Sequence, residues 1–95
     1  KVSEPALDLA AVMALISSFM NNAVDPKTVI FGEVGLSGEI RAVNQAEQRV
    51  LEARKLGFKT VILPKANLND NLKKITGIEL TGVSDIREAM QIPMG

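Results

Sequence analysis

The pattern of apolar and polar positions predicts that a helix opens the chain. It runs from Pro5 to Met20, where Ser3 or Glu4 can cap its start and Asn21-Asn22 can end it. Apolar residues fill almost every position from Leu9 to Ile16, so the helix has no polar face there. A helix of this kind is expected to be covered on both sides.

Two strands and a glycine-rich connection are predicted next. Residues Thr28–Phe31 are rich in β-formers, and Glu39–Val43 alternate between apolar and polar side chains. Between them, Gly32, Gly35 and Gly38 follow the spacing GxxGxxG, which is neither the dinucleotide-binding nor the Walker pattern. We therefore predict a tight hairpin or bulge there, and no nucleotide site.

A second, amphipathic helix is predicted from Gln45 to Leu56, with Gly57 in the left-handed conformation after its end. Asn44 reads as its N-cap. Glu47 follows three places later, which is the spacing of a capping box, where each of the two side chains bonds the other residue's backbone amide. This interpretation gives Glu47 a structural role and no catalytic one.

The second half of the chain alternates between strand and helix. Thr60–Leu63 is a continuous apolar strand, as found in parallel sheets that are buried on both faces. Asn67–Asn71 form a polar loop or short helical turn, and Ile78–Thr81 alternate like an outer strand. Ser84 is expected to cap a last helix, Asp85–Met90. The predicted fold class is α+β, or mixed α/β.

Composition limits the chemistry that the chain can carry. Its 95 residues fit one domain, placed at residues 1–95, and 46% apolar content favours a folded core. With no cysteine and no histidine, we predict no disulfide and no metal site, and the missing cysteines suggest a cytoplasmic protein. The longest apolar run is too short for a membrane span. The missing initiator Met suggests a domain excised from a larger protein. Phe19, Phe31 and Phe58 all have apolar sequence neighbours, so no aromatic platform for bases is expected.

Charge is unevenly distributed although the formal net charge is zero. Residues 41–65 hold six basic side chains against Glu47 and Glu52, a local net charge of +4. Such a basic sector is compatible with a polyanionic partner such as DNA, and equally with ordinary solvated faces of a helix and its loops. The candidate phosphate-binding residues are Arg41, Arg49, Arg54, Lys55, Lys59 and Lys65.

Four segments carry a resemblance to a known family. They read SEPALDLAAVMALISSF, VDPKTVIFGEVGLSGEIRAV, EQRVLEARKLGFKTVILPK and GIELTGVSDIREAM. Together, over about Val2 to Met90, they resemble the C-terminal Lon-protease-like domain of the RadA (Sms) family of bacterial DNA repair proteins. The resemblance implies the ribosomal protein S5 domain 2-like fold of the Lon proteolytic domain, truncated at the N-terminus and cut from a larger protein.

The resemblance also implies a pseudo-protease. Lon proteases use a serine nucleophile in a DGPSAG-like turn and a lysine base in a GGLKEK-like turn. Laid on this chain, those turns put Ala6 at the serine position, Glu47 at the lysine position and Asn44-Gln45 at the paired glycines. Since Ala6 has no hydroxyl, the resemblance implies a domain that is not an enzyme.

Two alternatives remain at this stage. One is a Lon-type ATP-dependent serine peptidase, whose Ser/Lys dyad would have to be relocated to another serine. The other is an unrelated α/β binding domain. The serines available for a relocated dyad are Ser3, Ser17, Ser18, Ser37 and Ser84.

The resemblance further implies a role within a repair machine. RadA-like proteins join a zinc finger, a RecA-like ATPase and this domain, and they process branched DNA in recombinational repair. Neither CxxC nor GxxxxGK[ST] occurs here, so ATP, Mg and Zn are expected only in other domains of the parent. The expected partners are further copies in a hexameric ring, DNA and, through the parent, a RecA-type recombinase.

Overall fold

Within residues 4–92, the fold combines a three-stranded sheet, a small hairpin and four helices. The computed structural model describes residues 4–92, so the alternative helix cap Ser3 lies outside the described residues. Short 3-10 turns at Pro5–Leu7 and Lys65–Asn67 join the main elements. In chain order these are α1 (Asp8–Met20), β1 (Thr28–Ile30), β2 (Glu33–Val34), β3 (Ile40–Arg41), α2 (Ala46–Lys55), β4 (Thr60–Pro64), α3 (Asp70–Lys73), β5 (Glu79–Val83) and α4 (Ile86–Met90).

Strand β4 lies in the middle of the sheet and is buried on both faces. It pairs in parallel with β1 on one side and with β5 on the other. Val61 and Leu63 point to one face and pack with Val50 of α2. Ile62 points to the other face and packs with Met13 of α1. The mixed α/β class is confirmed, and so is the prediction of a strand buried on both faces.

Helix α1 approaches the sheet closely because Gly32 has no side chain. The Leu9 amide donates to the Gly32 carbonyl at 2.9 Å, and the Gly32 amide donates to the Ala6 carbonyl at 2.8 Å. A Cβ atom at Gly32 would lie 3.2 Å from side-chain carbons of both Leu9 and Ile40. Glycine at this position therefore sets the distance between α1 and the hairpin.

The glycine-rich connection forms the predicted hairpin. Strands β2 and β3 pair antiparallel, with Glu33 opposite Arg41. The Gly35 amide donates to the Glu39 carbonyl at 2.8 Å, and the Gly38 amide donates to the Gly35 carbonyl at 3.0 Å. The second strand is shorter than predicted because the chain leaves the hairpin after Arg41.

The side-chain amide of Asn67 holds the segment that follows β3. Its Oδ1 accepts from the Val43 amide at 2.9 Å, and its Nδ2 donates to the Val43 carbonyl at 3.0 Å. One side chain thus satisfies both backbone groups of Val43, as a neighbouring strand would. These two hydrogen bonds join the segment that leads into α2 to the segment that follows β4.

One side of α1 is uncovered within residues 4–92. Leu9 and Met13 are buried, but Leu15 is 73% exposed and Phe19 is 96% exposed. The prediction of a helix covered on both sides is therefore wrong for this part of the chain. The physical reason is that α1 packs on the sheet along one stripe only, and no other described element lies over it.

The start of α2 differs from the predicted capping box. Gln45 occupies the N-cap with a left-handed φ of 61° and makes no side-chain cap bond. The Asn44 carbonyl instead accepts from Arg49 Nε at 3.0 Å. Asn44 therefore does not cap the helix, and Glu47 keeps only the favourable position of an acid in the first turn. The predicted helix end is confirmed, because Gly57 has a φ of 95°.

The cap of α4 lies one residue later than predicted. Asp85, not Ser84, is the N-cap, and its Oδ1 accepts from the Glu88 amide at 2.8 Å. The Ser84 amide donates to Glu88 Oε1 at 2.6 Å. Ser84 therefore contributes its backbone to the cap, while Asp85 contributes its side chain.

This cap gives a direct test by substitution. Asp85→Ala removes the side-chain acceptor and should lower the free energy of unfolding by about 1 kcal/mol. Ser84→Ala keeps the backbone amide and should change it by less than about half that amount. Urea denaturation followed by circular dichroism measures both. Equal losses in the two variants would contradict the observed cap.

Candidate functional site

A small crevice of about 250 Å³ lies where the resemblance places the protease site. Ala6 is 2% exposed at its edge, so the serine position is both apolar and buried. Glu47 does not line the crevice and is exposed on α2. The structure thus brings Ala6 and the entry to α2 together, but it leaves the residue at the lysine position outside. The lining residues are Glu4, Pro5, Ala6, Glu33, Ala42, Val43, Asn44 and Arg49.

Arg49 supplies a fixed positive charge in this crevice. Its Nη2 lies 3.5 Å from Glu4 Oε1, and its Nε donates to the Asn44 carbonyl at 3.0 Å. Its guanidinium carbon is 5.8 Å from the centroid of the Phe31 ring. A guanidinium remains protonated in proteins, so Arg49 cannot take a proton from a nucleophile. The crevice therefore holds a hydrogen-bond donor where a peptidase needs a base.

A relocated Ser/Lys dyad finds no support in the described part of the chain. Among residues 4–92, the one serine hydroxyl that donates a hydrogen bond is that of Ser17, and it donates to the Asn22 carbonyl. No lysine amine in that range lies within hydrogen-bond distance of a serine hydroxyl. Ser3 falls outside the described residues.

Three of the six predicted phosphate-binding residues are paired with carboxylates. Besides Arg49, Arg41 Nη2 lies 2.8 Å from Glu39 Oε2, and Lys65 Nζ lies 3.4 Å from Glu88 Oε2. All three pairs are at least partly exposed to solvent, and such pairs contribute little to stability. They do, however, neutralise the cations locally.

The other three predicted residues lie near the amino ends of the parallel strands. Arg54 Nη1 donates to the Thr76 carbonyl at 3.0 Å, and no carboxylate within residues 4–92 pairs with Arg54, Lys55 or Lys59. The Lys59 amide donates to the Lys27 carbonyl at 2.8 Å, which brings Lys27 alongside. Lys73 and Lys74, at the end of α3, come two to three residues before Thr76, whose carbonyl binds Arg54. We call this group the basic end: Lys27, Arg54, Lys55, Lys59, Lys73 and Lys74.

A larger cleft of about 570 Å³ lies on the α1 side of the sheet. Asp25, Glu79 and Glu88 line it, together with three threonines, and no lysine or arginine does. Phosphate groups would be repelled there, so the cleft is no candidate for a nucleic-acid contact. Two of these acidic residues adjoin the basic end, since Asp25 Oδ1 accepts from the Lys27 amide at 2.8 Å and the Glu79 amide donates to the Lys59 carbonyl at 2.9 Å.

Two other features are absent from residues 4–92. No group of three or more His, Cys, Asp or Glu side chains lies together there in a way that could hold a metal ion. No helix in that range is long and apolar enough to cross a membrane.

Comparison with known proteins identifies the family. A family model described as subunit ChlI of Mg-chelatase matches residues 1–67. DNA repair protein RadA of Bacillus subtilis (strain 168) is 50% identical over 95 residues, which make up 100% of this chain and 20% of that protein. The chain belongs to the ChlI family and is a homologue of RadA. The resemblance to RadA is therefore confirmed.

Further RadA proteins match over nearly the same span. RadA of Aquifex aeolicus (strain VF5) is 47% identical over 91 residues, 96% of this chain and 20% of that protein. RadA of Synechocystis sp. is 49% identical over 83 residues, 87% of this chain and 15% of that protein. The chain thus spans about a fifth, or less, of the length of the RadA proteins it matches.

Two carboxylates are expected to give the fold a stability that depends on pH. The Glu39 backbone amide, and then the Arg41 guanidinium, lower the pKa of Glu39 below its ordinary value of 4.5. The Ser84 amide, and then Lys65, lower the pKa of Glu88 in the same direction. A carboxylate whose pKa is lower in the folded state than in the unfolded state stabilises the fold. This contribution to the unfolding free energy is fully present above the unfolded-state pKa, and it is lost as pH falls through the folded-state pKa.

The unfolding free energy should therefore fall as pH is lowered from about 5 to 3. Glu88→Gln should make that fall shallower, because the variant has no carboxylate to protonate. Urea denaturation at a series of pH values measures the slope. Glu52→Gln is the matched control, since the Glu52 side chain makes no hydrogen bond within residues 4–92 and the slope should stay unchanged. An identical slope for Glu88→Gln and the wild type would contradict the assignment.

Proposed function

We propose that the chain is a non-catalytic module of a RadA-type DNA repair and recombination protein. In this role it contacts DNA phosphates through the basic end and serves as a scaffold for oligomerisation. The observation that carries the proposal is the match of the whole chain to proteins named DNA repair protein RadA. Zinc, ATP and a RecA-type recombinase are assigned to other parts of such a protein.

The absence of catalysis is supported by the residue types at the crevice. A buried methyl group at Ala6 cannot attack a carbonyl, and the nearby cation is the permanently protonated Arg49. Glu47 is exposed on α2 and does not line the crevice.

A DNA contact at the basic end is supported by its positive charge, and by the finding that its lysines and its arginine form no ion pair within residues 4–92. An unpaired lysine or arginine can neutralise a phosphate and release a counterion without breaking an existing ion pair. The ion-paired Arg41, Arg49 and Lys65 would have to give up or share a carboxylate first. We therefore assign the phosphate contacts to Arg54, Lys55 and Lys59, and we add Lys27, Lys73 and Lys74.

The scaffold role is supported by the uncovered side of α1. Exposed apolar patches on a soluble domain mark contacts with other protein surfaces. Leu15 and Phe19 form such a patch, and it lies on an element separate from the basic end.

The DNA contact is tested by the salt dependence of binding. The logarithm of the association constant for double-stranded DNA should fall linearly with the logarithm of salt concentration, by about 0.9 for each phosphate neutralised. The variant Lys55→Gln/Lys59→Gln should lower that slope by about 2 if both lysines contact phosphates. Fluorescence anisotropy with a labelled duplex at four or more salt concentrations measures it.

The matched control is Arg41→Gln/Lys65→Gln, which removes the same number of positive charges from ion-paired positions. Its slope should stay close to that of the wild type. Binding that does not depend on salt, or an equal loss of slope in the two variants, would contradict the assignment of the phosphate contacts to the basic end.

Peptidase activity is the competing function and has its own test. The chain should not hydrolyse casein or a fluorogenic peptide, and the variant Ala6→Ser/Glu47→Lys should remain inactive because residue 47 does not reach the crevice. Peptide turnover by the wild-type chain that survives further purification would revive the peptidase interpretation. The thermal melt of the variant serves as the control for folding.

A further inference from the structure

Three cations of the basic end lie side by side at the starts of the three parallel strands. The Lys27 carbonyl accepts from the amides of Lys59, at 2.8 Å, and Thr60, at 3.2 Å, so Lys27 and Lys59 are neighbours at the starts of β1 and β4. Arg54 Nη1 donates to the Thr76 carbonyl at 3.0 Å, shortly before β5 begins. Because β4 lies between β1 and β5, the order across the sheet is Lys27, Lys59, Arg54. We call these three residues the edge row.

Carboxylates adjoin the edge row on the α1 side of the sheet. The residue after Lys59 is Thr60, which lines the acidic cleft on that side. Asp25 and Glu79 line the same cleft. Successive side chains of a strand point to opposite faces, so the Lys59 side chain leaves the sheet on the α2 side, where Arg54 lies. Phosphate groups are repelled on the α1 side and attracted on the α2 side, which confines a polyanion to a narrow path along the row.

We propose that the edge row holds the backbone of a single DNA strand that runs across the amino ends of β1, β4 and β5. This inference rests on the DNA contact proposed above and names the path of one strand through it. Neighbouring strands of a sheet lie about 4.8 Å apart, so the row is about 10 Å long. Three successive phosphates of one strand advance about 7 Å along a duplex axis. The flexible stems of the two lysines accommodate the difference.

Each member of the edge row has N–H donors available for a phosphate. A guanidinium has five N–H donors in a fixed fork, so Arg54 can bind a phosphate while one of its nitrogens binds a backbone carbonyl. The Lys27 and Lys59 amines form no ion pair within residues 4–92, although Asp25 and Glu79 lie close by. Like charges on neighbouring strands repel each other, and a phosphate bound between the two lysines would offset that repulsion.

The remaining lysines of the basic end lie off this row. Lys73 lines a small crevice beside β5, together with Ile78 and Leu80. Lys55 follows Arg54 on α2 and points to another side of the helix, since successive helix residues are about 100° apart. A single strand on the edge row therefore leaves these lysines free, whereas the second strand of a duplex can meet them.

A labelled oligothymidylate tests the edge row separately from the rest of the basic end, because it does not form a duplex with itself. The logarithm of its association constant should fall with the logarithm of salt concentration with a slope of about 2, which is about 0.7 for each of three phosphates. Lys27→Gln/Lys59→Gln should lower that slope by about 1.4. The matched control Lys73→Gln/Lys74→Gln removes the same charge and should leave the slope unchanged. Fluorescence anisotropy at four or more salt concentrations measures both variants.

The same two variants, measured on a labelled duplex, distinguish this inference from the proposed DNA contact. On the duplex, each should lower the slope by about 1.8. Equal losses of slope on the oligothymidylate, or no binding of the oligothymidylate while the duplex binds, would overturn the edge row and leave the duplex contact standing. No salt-dependent binding of either DNA would overturn both. All four lysines are exposed, so both variants should fold, and a thermal melt checks this. Lys27→Gln/Lys59→Gln should melt no lower than the wild type, because it removes a repulsion.

Discussion

The burial of strand β4 on both faces is the constraint around which the rest of this chain is arranged. Val61 and Leu63 require cover on one side, which α2 provides, and Ile62 requires cover on the other, which α1 provides. Glycines also allow two close contacts around this sheet. A Cβ atom at Gly32 would crowd α1, and one at Gly82 would lie 2.5 Å from Leu68 Cδ1. Packing on both faces thus fixes the positions of the surface elements that carry charge.

The crevice near Ala6 is held by backbone hydrogen bonds and by one ion pair. The backbone bonds between Gly32 and the first turn hold Ala6 against the entry to α2, as a nucleophile and a base would need to be held. Two of the side chains that line the crevice are the Ala6 methyl group and the Arg49 guanidinium. The second of them is already bonded to Glu4 and to the Asn44 carbonyl. The geometry therefore supports an ion pair between Arg49 and Glu4.

The elements could be predicted from the sequence because their periodicity is strong, while their junctions could not. The cap of α2 depends on the left-handed backbone of Gln45, a conformation that glycine and asparagine adopt far more often. The basic end could be predicted only in part, because Lys27 and Lys73 lie outside residues 41–65. Strand pairing brings Lys27 beside Lys59, and the end of α3 brings Lys73 to the same end of the sheet. Local ion pairs such as Glu39 with Arg41 depend on the hairpin, which turns both side chains to one side.

The amide of Asn67 has a consequence for which substitutions this fold tolerates. Its two bonds to Val43 have opposite polarity, so the position requires a donor and an acceptor on one short side chain. An aspartate of the same shape would turn an oxygen toward the Val43 carbonyl and replace attraction by repulsion. Replacing Asn67 by aspartate, which keeps the outline of the side chain, would therefore loosen the join between the entry to α2 and the exit from β4. The connection between these two segments thus depends on a single neutral amide and tolerates no change of its charge.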